Sequence, residues 1–249
     1  MTQSEQNALS RITNQLFPPA ISARIAQGEK SIYNSFPNAS ILFADIVGFT
    51  ALAGKMPADE IVSLLDLTFR AVDDLILPKY NLLKIKTIGD SYMIGSGFPT
   101  EHHDHAKNVV QGALDIIAAV NQINKKYPHL PAKLQIRIGI NSGEIIAGIV
   151  GSTKPQYDCW SDTVNLASRM ESSGIAGQIQ ITDSTYKLLR VKLQQVFLIR
   201  IGVPVKGKGL LNTFITNINR EVADTRNVTI SRRLSEVTEL SSDDFQALN

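Results

Sequence analysis

The stretch Ile41-Leu42-Phe43-Ala44-Asp45-Ile46-Val47-Gly48-Phe49-Thr50 decides how this chain is read. An apolar run interrupted by one carboxylate, Asp45, ends at Gly48, the pattern of a short buried strand closed by a turn. Pro57 then opens a helix, with Asp59 and Glu60 placing acid in its first turn. Ile61, Leu65, Phe69, Val72 and Ile76 give that helix one apolar face, and Pro78 is predicted to end it. Leu82 to Phe98 reads as two strands around Gly89-Asp90, a hairpin signal. A second helix is expected from about His103 to Lys126, with Val110, Ala113, Ile117, Val120 and Ile123 inward. Leu134–Ile140 and Ile145–Val150 predict two strands joined through Ser142-Gly143-Glu144. A short helix follows near Asp162–Ser173, then short strands and one helix to about Asn217. The order strand-helix-strand-strand-helix-strand is the ferredoxin-like βαββαβ unit, so the expected fold is α+β, an antiparallel sheet with flanking helices.

Outward from this core the pattern fades. Residues 1–38 predict helical pieces without a strand, interrupted at Leu16-Phe17-Pro18-Pro19, and read as a connector. Residues 39–218 form the expected folded domain. From 219 to 249 the chain is polar without core periodicity and reads as a tail. The formal net charge of +2 is too small to argue for nucleic acid or an acidic membrane as the main partner, so no nucleic acid partner is expected and any bound anion must be held by local geometry. The single cysteine, Cys159, rules out an intramolecular disulfide and fits a reducing compartment. No apolar stretch reaches membrane-spanning length. The chain is therefore expected to be cytoplasmic, either by itself or as the cytosolic part of a tethered protein.

The chemistry centres on two carboxylates at tight turns. Asp45 ends the first strand, and Asp90 lies in the hairpin Lys84-Ile85-Lys86-Thr87-Ile88-Gly89-Asp90. In a ferredoxin-like sheet these two strands are neighbours, so the two charges repel unless a divalent cation lies between them. Hard Mg²⁺ favours such oxygens and shares them with phosphates. The Gly48-Phe49-Thr50 turn offers backbone N–H groups as a phosphate cradle.

Five blocks together resemble the catalytic domain of class III nucleotidyl cyclases, in that family's order. They are Phe43-Ala44-Asp45-Ile46-Val47-Gly48-Phe49-Thr50, Lys86-Thr87-Ile88-Gly89-Asp90, Arg137-Ile138-Gly139-Ile140-Asn141-Ser142-Gly143, Asp162-Thr163-Val164-Asn165-Leu166-Ala167-Ser168-Arg169-Met170 and Val205-Lys206-Gly207-Lys208-Gly209. The resemblance implies the class III cyclase fold and a head-to-tail homodimer with active sites at its interface. It implies two Mg²⁺ or Mn²⁺ ions per site, held by Asp45, Asp90 and the backbone carbonyl of Ile46. Arg137 and Lys206 would meet the triphosphate. Asn165 and Arg169, one helical turn apart, would come from the other subunit, to orient the ribose and to stabilise charge at the phosphorus. The implied reaction is attack of the ribose 3′-hydroxyl on the α-phosphorus, with loss of pyrophosphate.

The choice of base is argued from donors and acceptors. Adenine presents an acceptor at N1 and a donor at its 6-amino group, and guanine presents the reverse. Lys86 can only donate and ionised Asp158 can only accept. Both match the purine-selecting positions of adenylyl cyclases, whereas guanylyl cyclases generally place Glu and Cys or Ser there. The expected substrate is ATP and the expected product cyclic AMP. A guanylyl cyclase and an inactive dimerisation partner are the alternatives; an inactive partner usually lacks a metal Asp or the Asn/Arg pair, and this chain keeps both.

Other signals are given ordinary roles. His102, His103 and His105 are read as solvated residues at a helix start, and Arg232-Arg233-Leu234-Ser235 as a chance basic motif. Gly89 and Gly143 are read as turn glycines that also serve the site. Cys159 is read as a small buried hydrophobe. The segment before Ser40 resembles the connector joining such domains to an upstream sensory or transmembrane module.

Overall fold

Strand β1 (Tyr33–Ile46) organises the molecule. The computed structural model describes residues 12–217. Helix α1 (Pro19–Ala26) precedes β1; α2 (Phe49–Ala53) and α3 (Ala58–Arg70) follow it. A π-helical segment, Ala71–Ile76, leads into α4 (Leu77–Tyr80), then the hairpin β2 (Leu83–Ile88) and β3 (Ser91–Ser96). Next come α5 (His105–Lys126), β4 (Ile136–Val150), β5 (Gln156–Trp160) and α6 (Asp162–Ser172). The described residues end with β6 (Ile179–Thr182), α7 (Asp183–Leu188), α8 (Val191–Gln194), β7 (Phe197–Val205) and β8 (Gly209–Thr216).

The strands form one sheet ordered β2-β3-β1-β4-β6-β8-β7, with β5 also paired to β4. β1 is antiparallel to both β3 and β4, so β2-β3-β1-β4 is the expected ferredoxin-like arrangement. Alternation along β1 assigns its two faces. Leu42, Ala44 and Ile46 join the core formed with Leu64 and Leu67 of α3 and Val109, Ala113 and Ile116 of α5. Ala39 and Ile41 face the other way, with Ile21 of α1, Tyr157 and Cys159 of β5 and Ala167 of α6. Burying each large aliphatic side chain stabilises by about 1.5–3 kcal/mol, so both faces anchor their helices.

Several boundaries depart from the sequence expectation. β1 begins at Tyr33, inside the segment read as strand-free, and a bulge between Phe36 and Ala39 separates its exposed start from its buried centre. Pro78 does not end the helical run. It occupies the first turn of α4, where a missing N–H costs little, after the π-helical segment has changed the hydrogen-bonding pattern. The fully buried face of α3 is centred on Leu64, Leu67 and Thr68, while Leu65 and Phe69 flank it. β4 is one unbroken strand rather than two, and Gly143 makes no turn. A Cβ at Gly143 would lie 2.7 Å from Thr163 Oγ1, and one at Gly139 only 1.8 Å from the Glu171 nitrogen. These glycines let α6 lie directly on β4.

The sheet also curls. Leu83 and Ile85 of β2 pack in the same cluster as Tyr157 and Cys159 of β5, although β3, β1 and β4 separate the two strands in hydrogen-bonding order. Cys159 is buried as expected, and burial pushes its thiol up to about 12. His105 is buried instead of solvated: its Nδ1 lies 2.8 Å from Ser40 Oγ, while His102 Nε2 lies 3.2 Å from Ser96 Oγ. Among the described residues no group of three or more His, Cys, Asp or Glu side chains is placed to hold a metal ion. The polar tail 219–249 and its Arg232-Arg233-Leu234-Ser235 motif lie outside the described residues.

Candidate active site

Asp45 stands opposite Ser91 on β3 and opposite Arg137 on β4. Gly89, at φ +62°, makes the tight turn that brings Asp90 beside Ser91. The two carboxylates thus meet at one end of the central strands. Burial pushes the Asp45 carboxyl above its usual range, and the charge of Asp90 raises it further against a smaller opposing effect of Arg137. The backbone therefore holds two hard oxygen donors together at an electrostatic cost, with the Ile46 carbonyl adjacent. That donor set fits a hard divalent cation shared with phosphates. The Ile46 side chain itself is buried in the core, which leaves its carbonyl as its available donor.

Arg137 completes this cluster. Its Nη2 lies 3.6 Å from Asp45 Oδ2, and its Nε donates to Glu171 Oε1 at 2.7 Å. Glu171 was absent from the residues expected of the site. Burial holds its carboxyl above the usual range; the Arg137 bond opposes this, and Asp45 and Asp90 add to it. The available signal was a charge on the apolar side of a short helix, in line with Ala167 and next to Met170. A carboxylate there needs a buried cation, and Arg137 supplies it.

Gly48, at φ +72°, turns the chain from β1 into α2. Phe49 packs on the core and Thr50 is exposed. The first N–H groups of a helix have no intrahelical partner, so this turn can face an anion.

Helix α6 divides the remaining groups. Ser161 caps it, accepting from the Val164 nitrogen at 3.3 Å. Thr163, Ala167, Met170 and Glu171 are its buried face. Asn165 is exposed. Arg169 stands two residues from Glu171, about 200° around the helix. It lines a separate cavity of about 380 Å³ with Ser172, Ser173, Arg200 and Lys206. Gly207, at φ +79°, shapes the turn that presents Lys206. Within one chain, then, the structure joins Asp45, Asp90 and Arg137 on one side of α6, and Arg169 with Lys206 on the other.

Lys86 and Asp158 make a direct ion pair between β2 and β5, across the curl of the sheet. Asp158 Oδ1 also accepts from the Cys159 nitrogen at 2.9 Å. One donor-only and one acceptor-only side chain are thereby fixed next to each other.

Comparison with known proteins gives the family. The Adenylate and Guanylate cyclase catalytic domain family matches residues 32–218, and the chain belongs to that family. The receptor-type guanylate cyclase gcy-28 of Caenorhabditis elegans is 36% identical over 212 residues, spanning 85% of this chain and 16% of that protein. An adenylate cyclase of Mycobacterium bovis is 37% identical over 222 residues, spanning 89% of this chain and 48% of that protein. The chain thus covers half or less of the length of these relatives. Among solved structures, the adenylyl cyclase CyaB from P. aeruginosa superposes with a TM-score of 0.68 at 26% identity, covering 77% of this chain and 99% of that one. Relatives of both base preferences are similar to this chain, so family membership by itself leaves the nucleotide open. No helix among the described residues is long and apolar enough to cross a membrane.

Proposed function

We propose that the chain is an adenylyl cyclase, converting ATP to 3′,5′-cyclic AMP and pyrophosphate at two sites shared across a head-to-tail homodimer. The Lys86–Asp158 pair is the observation that carries this reading. Lys86 would donate to adenine N1, and Asp158 would accept from the 6-amino group. Guanine would set donor against donor and acceptor against acceptor. Each unmet polar group costs about 1–3 kcal/mol in a buried site.

The separation of charged groups by α6 supports a shared site. Asp45, Asp90 and the Ile46 carbonyl of one subunit would hold two Mg²⁺ or Mn²⁺ ions. When bound, such ions supply positive charge that acidifies the 3′-hydroxyl and neutralises the departing pyrophosphate. The partner's α6 would bring Asn165 to the ribose and Arg169 to the α-phosphate. Arg137 and Lys206 would hold the triphosphate, with the Gly48-Phe49-Thr50 turn supplying further donors. The O3′–Pα bond forms as the bond from Pα to the β-phosphate oxygen breaks. The hydroxyl proton passes to Asp45 or to an adjacent phosphate oxygen. Positioning and charge stabilisation carry the rate. Residues 39–218 would be the catalytic unit, and 1–38 the connector to an upstream sensory or membrane module.

The test is to supply Mn²⁺ with ATP or GTP and to quantify both cyclic products. The reading expects cyclic AMP, with GTP turned over at least about 10²-fold less efficiently. The paired change Lys86→Glu with Asp158→Cys should move preference toward GTP. Cyclic GMP from the unaltered chain would retain the cyclase reaction and end the base-reading argument.

A further inference from the structure

Three cations that make no ion pair with any carboxylate among the described residues line one cavity. They are Arg169 on α6, Lys206 after β7 and Arg200 within β7. Arg200 stands outside every sequence block that pointed to the site. Its Nη1 donates to the Ser173 carbonyl and to Gln180 Oε1, both at 2.7 Å. Gln180 is fully buried and donates in turn to the Met170 carbonyl at 3.0 Å and to Ser173 Oγ at 2.8 Å. The guanidinium is therefore fixed in direction by neutral acceptors and keeps its whole charge. Two of its five N–H donors are used, and the others remain for a ligand.

A held guanidinium beside two more cations in one solvent-open cavity raises the local attraction for an anion. Planar, preorganised N–H forks suit phosphate oxygens in particular. We infer that Arg200 is a further phosphate-binding residue, acting with Lys206 on the pyrophosphate portion of the substrate and on the released pyrophosphate, beside Arg169 at the α-phosphate. The inference rests on the nucleotidyl cyclase reading of Arg169 and Lys206 and is independent of the choice of base.

Two variants separate ligand binding from bracing. Arg200→Gln removes the charge but keeps an N–H donor for the Ser173 carbonyl; Arg200→Lys keeps the charge but loses the fork. Inorganic pyrophosphate is the probe, read by calorimetric binding to the folded chain and by product inhibition. The dissociation constant should rise about 10-fold or more in Arg200→Gln and less in Arg200→Lys. A fall in Tm with unchanged pyrophosphate affinity, in whichever variant folds, would reduce Arg200 to a brace between β7 and α6. Because calorimetry needs no turnover, a chain that makes no cyclic product would favour the inactive-partner alternative or a domain that needs its regulator, while still reporting on Arg200.

Discussion

The two sides of helix α6 handle positive charge in opposite ways. Toward β4, Arg137 is bonded to Glu171 and approaches Asp45, so its charge is met within the chain. On the outer side, Arg169, Arg200 and Lys206 share a cavity with no carboxylate partner among the described residues. Folding alone meets the charge of Arg137 on the inner side, whereas the cations of the outer side have charge to spare for an anion. The difference explains how one helix can serve two purposes: Glu171 faces in, and Arg169, two residues earlier, faces away. The proposed site, which needs both sides, would then be built from two copies of the chain.

The largest expected effect tests that division directly. Asp45→Asn or Asp90→Asn should lower kcat on the order of 10²–10³-fold, and Arg169→Ala comparably. Mixing Asp45→Asn chains with Arg169→Ala chains should restore activity to about a quarter of the unaltered level, because half the dimers then contain one intact site. Recovery sharpens the two-sided view; a mixture as inactive as its components breaks it.

A smaller effect probes the seating of the helix that separates the two sides. Gly139→Ala places a methyl where the Glu171 nitrogen lies 1.8 Å away, so α6 must lift from β4. Denaturant unfolding should show a loss of about 1–3 kcal/mol. Pyrophosphate affinity and kcat should fall together, since Arg169 and Glu171 move with the same helix. An unchanged affinity would mean that the two sides are not mechanically joined.

The smallest effect is on stability against pH. The Asp45 carboxyl is raised, first by burial and then by Asp90. A group whose folded-state pKa is raised contributes most below its unfolded value, about 3.9, and loses that contribution as pH rises through the folded value. At neutral pH without divalent ions, Asp45→Asn should therefore raise Tm slightly, and the advantage should shrink as pH falls through the raised folded value and be gone below about pH 4. Adding Mg²⁺ should raise the Tm of the unaltered chain and leave the variant unmoved. A variant less stable at neutral pH would place Asp45 among the compensated charges instead.

The strands and helices that carry the expected site were legible because their periodicity is local. Asp45 and Asp90 could be joined on paper because the βαββαβ order fixes which strands are neighbours. Gly143 misled because a glycine between two apolar runs signals a turn equally well as a helix crossing overhead, and only tertiary packing decides. Pro78 misled for a related reason, since the π-helical segment before it restarts the hydrogen-bonding register. Glu171 and Arg200 were missed because their partners, Arg137 and Gln180, are distant in sequence. His105 was misplaced because its serine partner Ser40 lies on another element, and charge patterning at a helix start carries no trace of it.

The curl of the sheet carries a consequence for how such sequences can drift. Lys86 and Asp158 close the gap between β2 and β5, so the proposed base readers also fasten one side of the sheet to the other. Exchanging Lys86 alone would leave Asp158, largely buried, without its cation. A lineage changing its purine would have to alter both positions or pass through a loosened ancestor. On the proposed base reading, the fastening makes nucleotide preference an inheritance that resists stepwise change.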